Sequence, residues 1–402
     1  MIHEEAGAAA DHSAEKKVLR IALIVPWITK SRGGTENVGH MMANALASRG
    51  HDVHIFTFDD QQLPSRWPLH ETVELHWLPE AETPSADSIV LFSIAEICPD
   101  LIIGLHMNRT LLRYTLLAQR MSVPIILSEH IDPRFPRRLG VFTEQERNVA
   151  FEGATKVHLL TTSFLDTVLP EHREKVVVIP NTVTEPTRLS SPVGDGANAV
   201  ITVARLVPRK NIERLIKEFA QIAGDFPDWT LRILGDGPLT TKLQDCAKAA
   251  GVARQVEFLG HSDEPYEHLA AARLFVLPSL FEGFPMSSLE AMAHGIPLVG
   301  YATCNGINEQ IVDGENGLLV ADSLDFGGLG KAMAKIMGSA ELRGKMGEAS
   351  RARFLAFYSN DVIGDLWEKM ALAAHAAGIG FPEQSQISAV RADLAARMNS
   401  TG

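Results

Sequence analysis

Cysteine is scarce in this chain and scattered. Cys98, Cys246 and Cys304 are the three among 402 residues, and none forms a CxxC pair. That suits a reducing compartment and offers no thiolate spacing for a metal. Basic charge is short as well: 37 Lys and Arg stand against 49 Asp and Glu, a formal net charge of −12. General nucleic-acid binding needs a basic face that displaces counterions, so this balance argues against it while leaving room for a local basic patch. No stretch approaches the ~20 apolar residues that span a bilayer. Residues 1–17, MIHEEAGAAADHSAEKK, are acidic and polar, lack the order of a secretory signal, and read as a disordered leader. The expected location is the cytoplasm, or the inner face of a membrane as a peripheral protein.

What is present is a rhythm of strand and helix that runs twice. Val18 to Pro26 is a continuous apolar run of strand length, the pattern of a strand buried on both faces. A glycine loop follows, then a helical stretch ending near Gly50, a plausible C-cap. DVHIFTF, DLIIGLH, VPIILSEH and VVVIPNTV continue the series, with a helix from about Asn108 to Arg120 between the second and third. TEPTRLSSPVGDGAN then concentrates Pro, Ser and Gly without apolar periodicity, the composition of a linker. AVITVARL restarts the alternation, followed by WTLRILGDG, VEFLG, LFVLPS and PLVGY. Strands alternating with helices imply βαβ units and parallel sheets. The expected organisation is a leader over 1–17, an acceptor-side Rossmann-like domain over 18–185, a second such domain over 186–375 and a tail over 376–402. Open parallel sheets bind ligands beyond the carboxyl ends of their strands, so two of them place a site in the cleft between.

Four groups of residues stand at such strand ends. In EGFPMSSLE, Glu282 and Glu290 flank a proline suited to a helix's first turn, with the amides of Met286 and Ser287 free to meet sugar hydroxyls or phosphate oxygens. Two glutamates bordering an ordinary surface helix would look the same, because spacing alone is a weak motif. In VARLVPRKN, Arg205 and Lys210 follow a buried strand and precede a helix, the placing of a diphosphate clamp or, equally, of a solvated basic loop. Gly33 and Gly34 after the first strand allow close approach of backbone to a ligand, and Gly235 in GDGP ends another strand in the same fashion. His130 leaves the strand IILS, where a structural histidine is the commoner occupant. The first loop carries neither GxGxxG nor GxxxxGK[ST], which disfavours a nicotinamide oxidoreductase and a P-loop enzyme.

Taken together, these motifs resemble family 4 of the glycosyltransferases, retaining enzymes of GT-B architecture. The resemblance runs along most of the chain, through IALIVPW, the double glycine, SEH, VIPN, RLVPRKN, GDGP, EGFPMSSLEAMAHGIPLV and GENGLLV. It implies that Arg205 and Lys210 hold a donor pyrophosphate and Glu290 the ribose hydroxyls. Glu282 with the amides after it would contact the transferred sugar, His130 a hydroxyl at its far side, and Gly34 the phosphate from the opposite domain. It implies no cofactor beyond a nucleotide-sugar co-substrate, first a UDP-sugar, and a glycan, lipid-linked or small-molecule acceptor. TCNGINEQ, with Asn305, Gly306 and Glu309, departs from the Gly-Gly-x-x-Glu turn of many relatives toward polysaccharide-assembly members. No Asp-x-Asp occurs, so no metal is expected on the diphosphate. An epimerase of the same architecture, or a non-catalytic nucleotide-sugar-binding module, stays open as an alternative.

The acceptor side is marked by charge. Residues 101–140 hold six Arg against two acidic residues. Arg109, Arg113 and Arg120 fall within about 40° on a helical wheel, and Arg134, Arg137 and Arg138 follow His130. Basic residues mixed with Phe135 and Leu139 suit an anionic lipid or lipid-diphosphate acceptor as well as they suit a solvated face.

Overall fold

The computed structural model describes residues 17–30, 33–59, 61–81, 83–105, 110–135, 142–194 and 197–379. Among them, two parallel sheets form. The first contains β1 (Arg20–Ile24), β2 (Asp52–Phe58), β3 (Glu74–Leu78), β4 (Leu101–Leu105), β5 (Ile125–Ser128), β6 (Lys156–Leu159) and β7 (Val176–Val178), in the order β3-β2-β1-β4-β5-β6-β7. The second contains β8 (Ala199–Val203), β9 (Thr230–Leu234), β10 (Val256–Gly260), β11 (Leu274–Leu277), β12 (Leu298–Tyr301) and β13 (Gly317–Val320), in the order β10-β9-β8-β11-β12-β13. Every pairing between these strands is parallel. In both sheets the order reverses beside the first strand of the half, opening a crevice at the strand ends.

The continuous apolar run of β1 is explained by burial on both faces. Ile21 and Leu23 pack into one core with Met42 and Leu46 of the helix Gly34–Ser48. Ala22 and Ile24 pack into the other with Phe56, Val90 and Ile102. The helix ends as expected, with Gly50 in the left-handed region at φ 91° beyond its last turn. Two strands escaped the sequence pattern. β3 is a mostly exposed edge, and β6, KVHL, carries a lysine and a histidine in four residues.

The last described helix, Asn360–Ala377, corrects the expected boundary at 375. Its apolar side chains Ile363, Trp367, Met370, Ala371 and Ala374 bury in the core of the first half, against the helix Gly34–Ser48 and against β4 and β5 of the first sheet. The chain thus crosses back, and the helix belongs by packing to the first half. The crossing is fastened at Thr182, whose hydroxyl donates to the Tyr358 carbonyl at 2.6 Å. No helix among the described residues is long and apolar enough to cross a membrane.

Candidate active site

The charged end of the second sheet is built from two neighbouring loops. After β8 the chain passes Arg205 and makes one tight turn, Pro208–Lys210, before the helix Ile212–Ile222. The Leu280 amide donates to the Arg209 carbonyl at 2.9 Å, tying this turn to the exit of β11. Lys210 Nζ therefore lies 2.5 Å from Glu282 Oε1, and Arg209 Nη1 lies 2.9 Å from Oε2. Burial alone would push the Glu282 carboxyl up, but Lys210 and Arg209 outweigh it and hold it below the ordinary carboxylate range. Glu282 is thus an ion held by two cations, and the trio keeps one positive charge. Arg205 stays exposed, with no ion pair among the described residues. Arg209 escaped the sequence reading although it stands next to Lys210; only the turn shows that both adjacent cations reach one carboxylate.

Glu290 has a different environment. It lies in the last turn of the helix Met286–Ala293, half-buried and without an ion-pair partner among the described residues. Burial pushes its carboxyl up to about 7. At the other end of this helix Pro285 is the N-cap and supplies no side-chain cap, so the first-turn amides of Met286 and Ser287 have no capping side chain among the described residues. Gly235 shapes the adjoining loop. Its φ is +129° and a Cβ there would lie 2.0 Å from the Ala204 carbonyl oxygen, while its own amide donates to Gly260 at 2.7 Å.

The first half meets these groups from across the cleft. Gly33 is the N-cap of the helix that begins at Gly34. A Cβ on Gly34 would stand 3.2 Å from Met286 Sδ, so the double glycine faces the opening of the opposite helix. A Cβ on Gly283 would stand 2.9 Å from the His130 carbonyl oxygen, which puts the Glu282–Gly283 loop directly against the exit of β5. Asn181 Nδ2 donates to the Phe284 carbonyl at 2.8 Å, Asn305 Nδ2 to Asp132 at 3.4 Å and Thr162 to Glu309 at 3.3 Å. Asn181 stood in VIPN without an assigned role; its partner is 103 residues away.

Ser128, Glu129 and His130 divide three tasks. Glu129 is fully buried and accepts two bonds from Arg147, at 2.8 and 2.7 Å, anchoring the loop to the helix Glu144–Gly153. Ser128 Oγ lies 2.7 Å from His158 Nδ1 and 2.6 Å from His130 Nε2, and His158 Nε2 lies 2.7 Å from the Ile179 carbonyl oxygen. A carbonyl only accepts, so His158 carries its proton on Nε2. Burial pushes His158 down to about 4, so the ring is neutral and its Nδ1 accepts from Ser128. The Ser128 oxygen then accepts from the Nε2–H of His130. A relay of three side chains fixes the orientation of the ring at the cleft.

The expected basic face is divided. Arg134 donates to Asp132 at 3.3 Å and to the Ser163 carbonyl at 3.1 Å. Arg113 pairs with Asp87 at 2.6 Å and lies 5.2 Å from the ring centre of Phe58, while Arg120 is exposed at a helix end. Arg109, Arg137 and Arg138 lie outside the described residues.

Residues 33–182 match the family model "Glycosyl transferase 4-like domain", and residues 184–353 match "Glycosyl transferases group 1". The chain is 28% identical over 387 residues to an exopolysaccharide phosphotransferase of Streptomyces coelicolor, covering 88% of this chain and 40% of that protein. It therefore spans less than half the length of that relative. An uncharacterized glycosyltransferase of Haemophilus influenzae is 25% identical, with 80% of this chain and 91% of that protein covered. Among solved structures, sucrose-phosphate synthase from Thermosynechococcus elongatus superposes with a TM-score of 0.74 at 19% identity, over 90% of this chain and all of that one. The Anabaena protein HepE in complex with UDP and glucose gives 0.69 at 19% identity, over 87% of this chain and 98% of that one. Both sheets, the cleft and the order of motifs agree with these matches, and the chain belongs to the GT4-like glycosyltransferases of GT-B fold.

Proposed function

We propose that the protein transfers a hexose or N-acetylhexosamine from a nucleoside-diphosphate sugar to a glycan, lipid-linked or small-molecule acceptor, with retention at the anomeric carbon. The observation that carries this reading is the cationic end of the second sheet, where Arg209 and Lys210 hold one ionised Glu282 opposite Gly34 and His130, with exposed Arg205 in the same loop. UDP is the first nucleotide to test, because a neighbour of the same fold holds UDP and glucose.

In this reading the bond from the anomeric carbon to the donor phosphate breaks, and one to the acceptor oxygen forms on the same face. The acceptor proton passes to the leaving phosphate oxygen. Arg205, Lys210 and the first-turn amides of the helix Met286–Ala293 stabilise the charge that develops on the diphosphate. Glu282 is unsuited to attack the sugar, because both its oxygens are held by cations and it is ionised at low cost. Its role is to position. His130, oriented through Ser128, contacts a hydroxyl at the far side of the sugar. Glu290 takes the ribose hydroxyls, and no metal is required on the diphosphate. Arg134, Arg137 and Arg138 border the acceptor path, where a lipid-linked acceptor or anionic membrane surface would lie.

The test is a melting-temperature screen against UDP-, GDP- and ADP-sugars, followed by NMR of the product formed in EDTA. A stabilising donor and a product of retained configuration are expected. Inverted configuration, or turnover that returns only when magnesium or manganese is supplied, would overturn the mechanism. Sugar isomerised without acceptor would make the protein an epimerase.

A further inference from the structure

We propose that the edge of the first sheet carries a divalent transition-metal site, formed by His54, Glu74 and His76, with zinc as its natural occupant. It is separate from the transfer chemistry and does not rest on the reading above. β2 and β3 pair with His54 opposite Glu74 and Phe56 opposite His76, so alternation puts all three side chains on one face. Their ligand atoms lie within 4.8 Å of one another.

The separations suit one ion. His54 Nδ1 is 2.9 Å from His76 Nε2 and 3.5 Å from Glu74 Oε2, and the latter two atoms are 3.8 Å apart. Bonds of ~2.0–2.1 Å to a tetrahedral zinc place neighbouring ligand atoms about 3.3 Å apart, which is close to the mean of these three distances. Two histidines and one carboxylate are a known zinc set with a fourth position left for water.

The protonation pattern points the same way. Asp52 Oδ1 lies 3.1 Å from His54 Nε2, and its other oxygen is held by Arg20 at 2.6 Å. A carboxylate accepts, so the proton of a neutral His54 sits on Nε2 and the Nδ1 lone pair faces the cluster. That is the carboxylate–histidine arrangement that orients metal ligands. His76 is held by stacking on Phe56, with centroids 4.6 Å apart and planes 15° from parallel. Three electron-pair donors thus converge where a single shared proton now links the two rings, and a divalent cation can satisfy all three.

The cluster sits near the amino ends of β2 and β3, whereas the cleft lies beyond the carboxyl ends. Its effect is to clip the exposed edge strand β3 to β2. Glu74 and His76 stand 68% and 30% exposed at the side chain, so an ion can enter from solvent without unfolding.

Metal-free protein titrated with zinc in a calorimeter tests the site, with cobalt(II) absorption reporting coordination geometry. One zinc per chain, a four-coordinate cobalt spectrum and a melting temperature raised by zinc are expected. Glu74→Gln and His76→Gln should each weaken binding at least tenfold while melting like the wild type without metal, and Asp52→Asn should weaken it 10–100-fold, as about that loss follows removal of a ligand's carboxylate support. Absence of one-to-one binding would overturn the proposal. So would equal affinity in wild type, Glu74→Gln and His76→Gln, which would place the zinc on other histidines.

Discussion

The second half of the chain keeps its charged groups within short windows: Arg205, Arg209 and Lys210 in one loop, and Glu282, Met286, Ser287 and Glu290 in another. The first half assembles its contribution from far apart. His130 depends on Ser128 from β5, His158 from β6 and the Ile179 carbonyl before Asn181. Each half turns a Rossmann-like sheet toward the same cleft. The comparison teaches that the proposed donor groups are encoded locally, in loops that bring cations to a strand end, while the opposing side of the cleft is encoded in contacts between strands. It follows that damage to the charged loops of the second half should strike donor binding hardest, and damage to the relay behind His130 in the first half should strike it much less.

Lys210→Ala should have the largest effect. It leaves the buried Glu282 with Arg209 as its remaining cation, and removing one partner of a buried pair typically costs about 3–5 kcal/mol. The lower end is expected because Arg209 stays. Denaturant unfolding gives this cost directly, and an unchanged midpoint would show that the Glu282 trio is solvated and weak.

The first half offers the next test. His158 is neutral in the folded protein, with burial pushing its ionisation from the ordinary histidine value of 6.5 down to about 4. Protons therefore favour the unfolded chain between those values. The stability that His158 contributes is complete above about 6.5 and fades as pH falls toward about 4, by up to about 3 kcal/mol at 1.36 kcal/mol per unit. His158→Gln should flatten that part of the acid unfolding profile while UDP-sugar affinity at pH 7.5 stays within a few-fold. Loss of donor affinity in this variant would break the division between the halves.

The proposed acceptor side can be probed by charge. Arg137→Glu with Arg138→Glu should weaken binding to vesicles of anionic lipid by about 1 kcal/mol per residue, an effect that added salt should mimic. Donor affinity should not move. Sedimentation with vesicles equal to wild type would reduce these arginines to a solvated face.

The mildest effect belongs to Glu290. Its carboxyl titrates near 7, and ribose hydroxyls favour the ionised form. Donor affinity should then fall as pH drops below about 7, by at most tenfold per unit, which is about 1.4 kcal/mol. Glu290→Gln should bind more weakly but with no such slope, and a wild-type profile flat from pH 5.5 to 8 would remove Glu290 from the ribose.

The contrast between the halves also explains what could be read in advance. Both parallel sheets were legible because runs such as RIALI and LFVL are apolar on both faces. Glu282, Lys210 and the helix after Pro285 were legible because their spacing is local. β3 and β6 were not, since an exposed edge strand and a strand carrying lysine and histidine break the apolar run. The return of the helix Asn360–Ala377 to the first half was hidden for another reason: its apolar stripe shows that it packs, not against what. Asn181, Ser128 and His158 were missed because each acts through a partner distant in sequence. The His54, Glu74 and His76 cluster likewise exists only once β2 and β3 pair.

The central claim is that Arg205 and Lys210 hold the donor diphosphate, and Arg205→Ala tests it most cleanly. Arg205 is exposed and has no ion pair among the described residues, so its removal should leave the melting temperature unchanged. Calorimetric titration with UDP and UDP-sugar should show affinity reduced 10–100-fold, matching a charged hydrogen-bonding group worth about 1.5–3 kcal/mol. An unchanged dissociation constant in Arg205→Ala, with wild type binding the same ligand, would contradict the account.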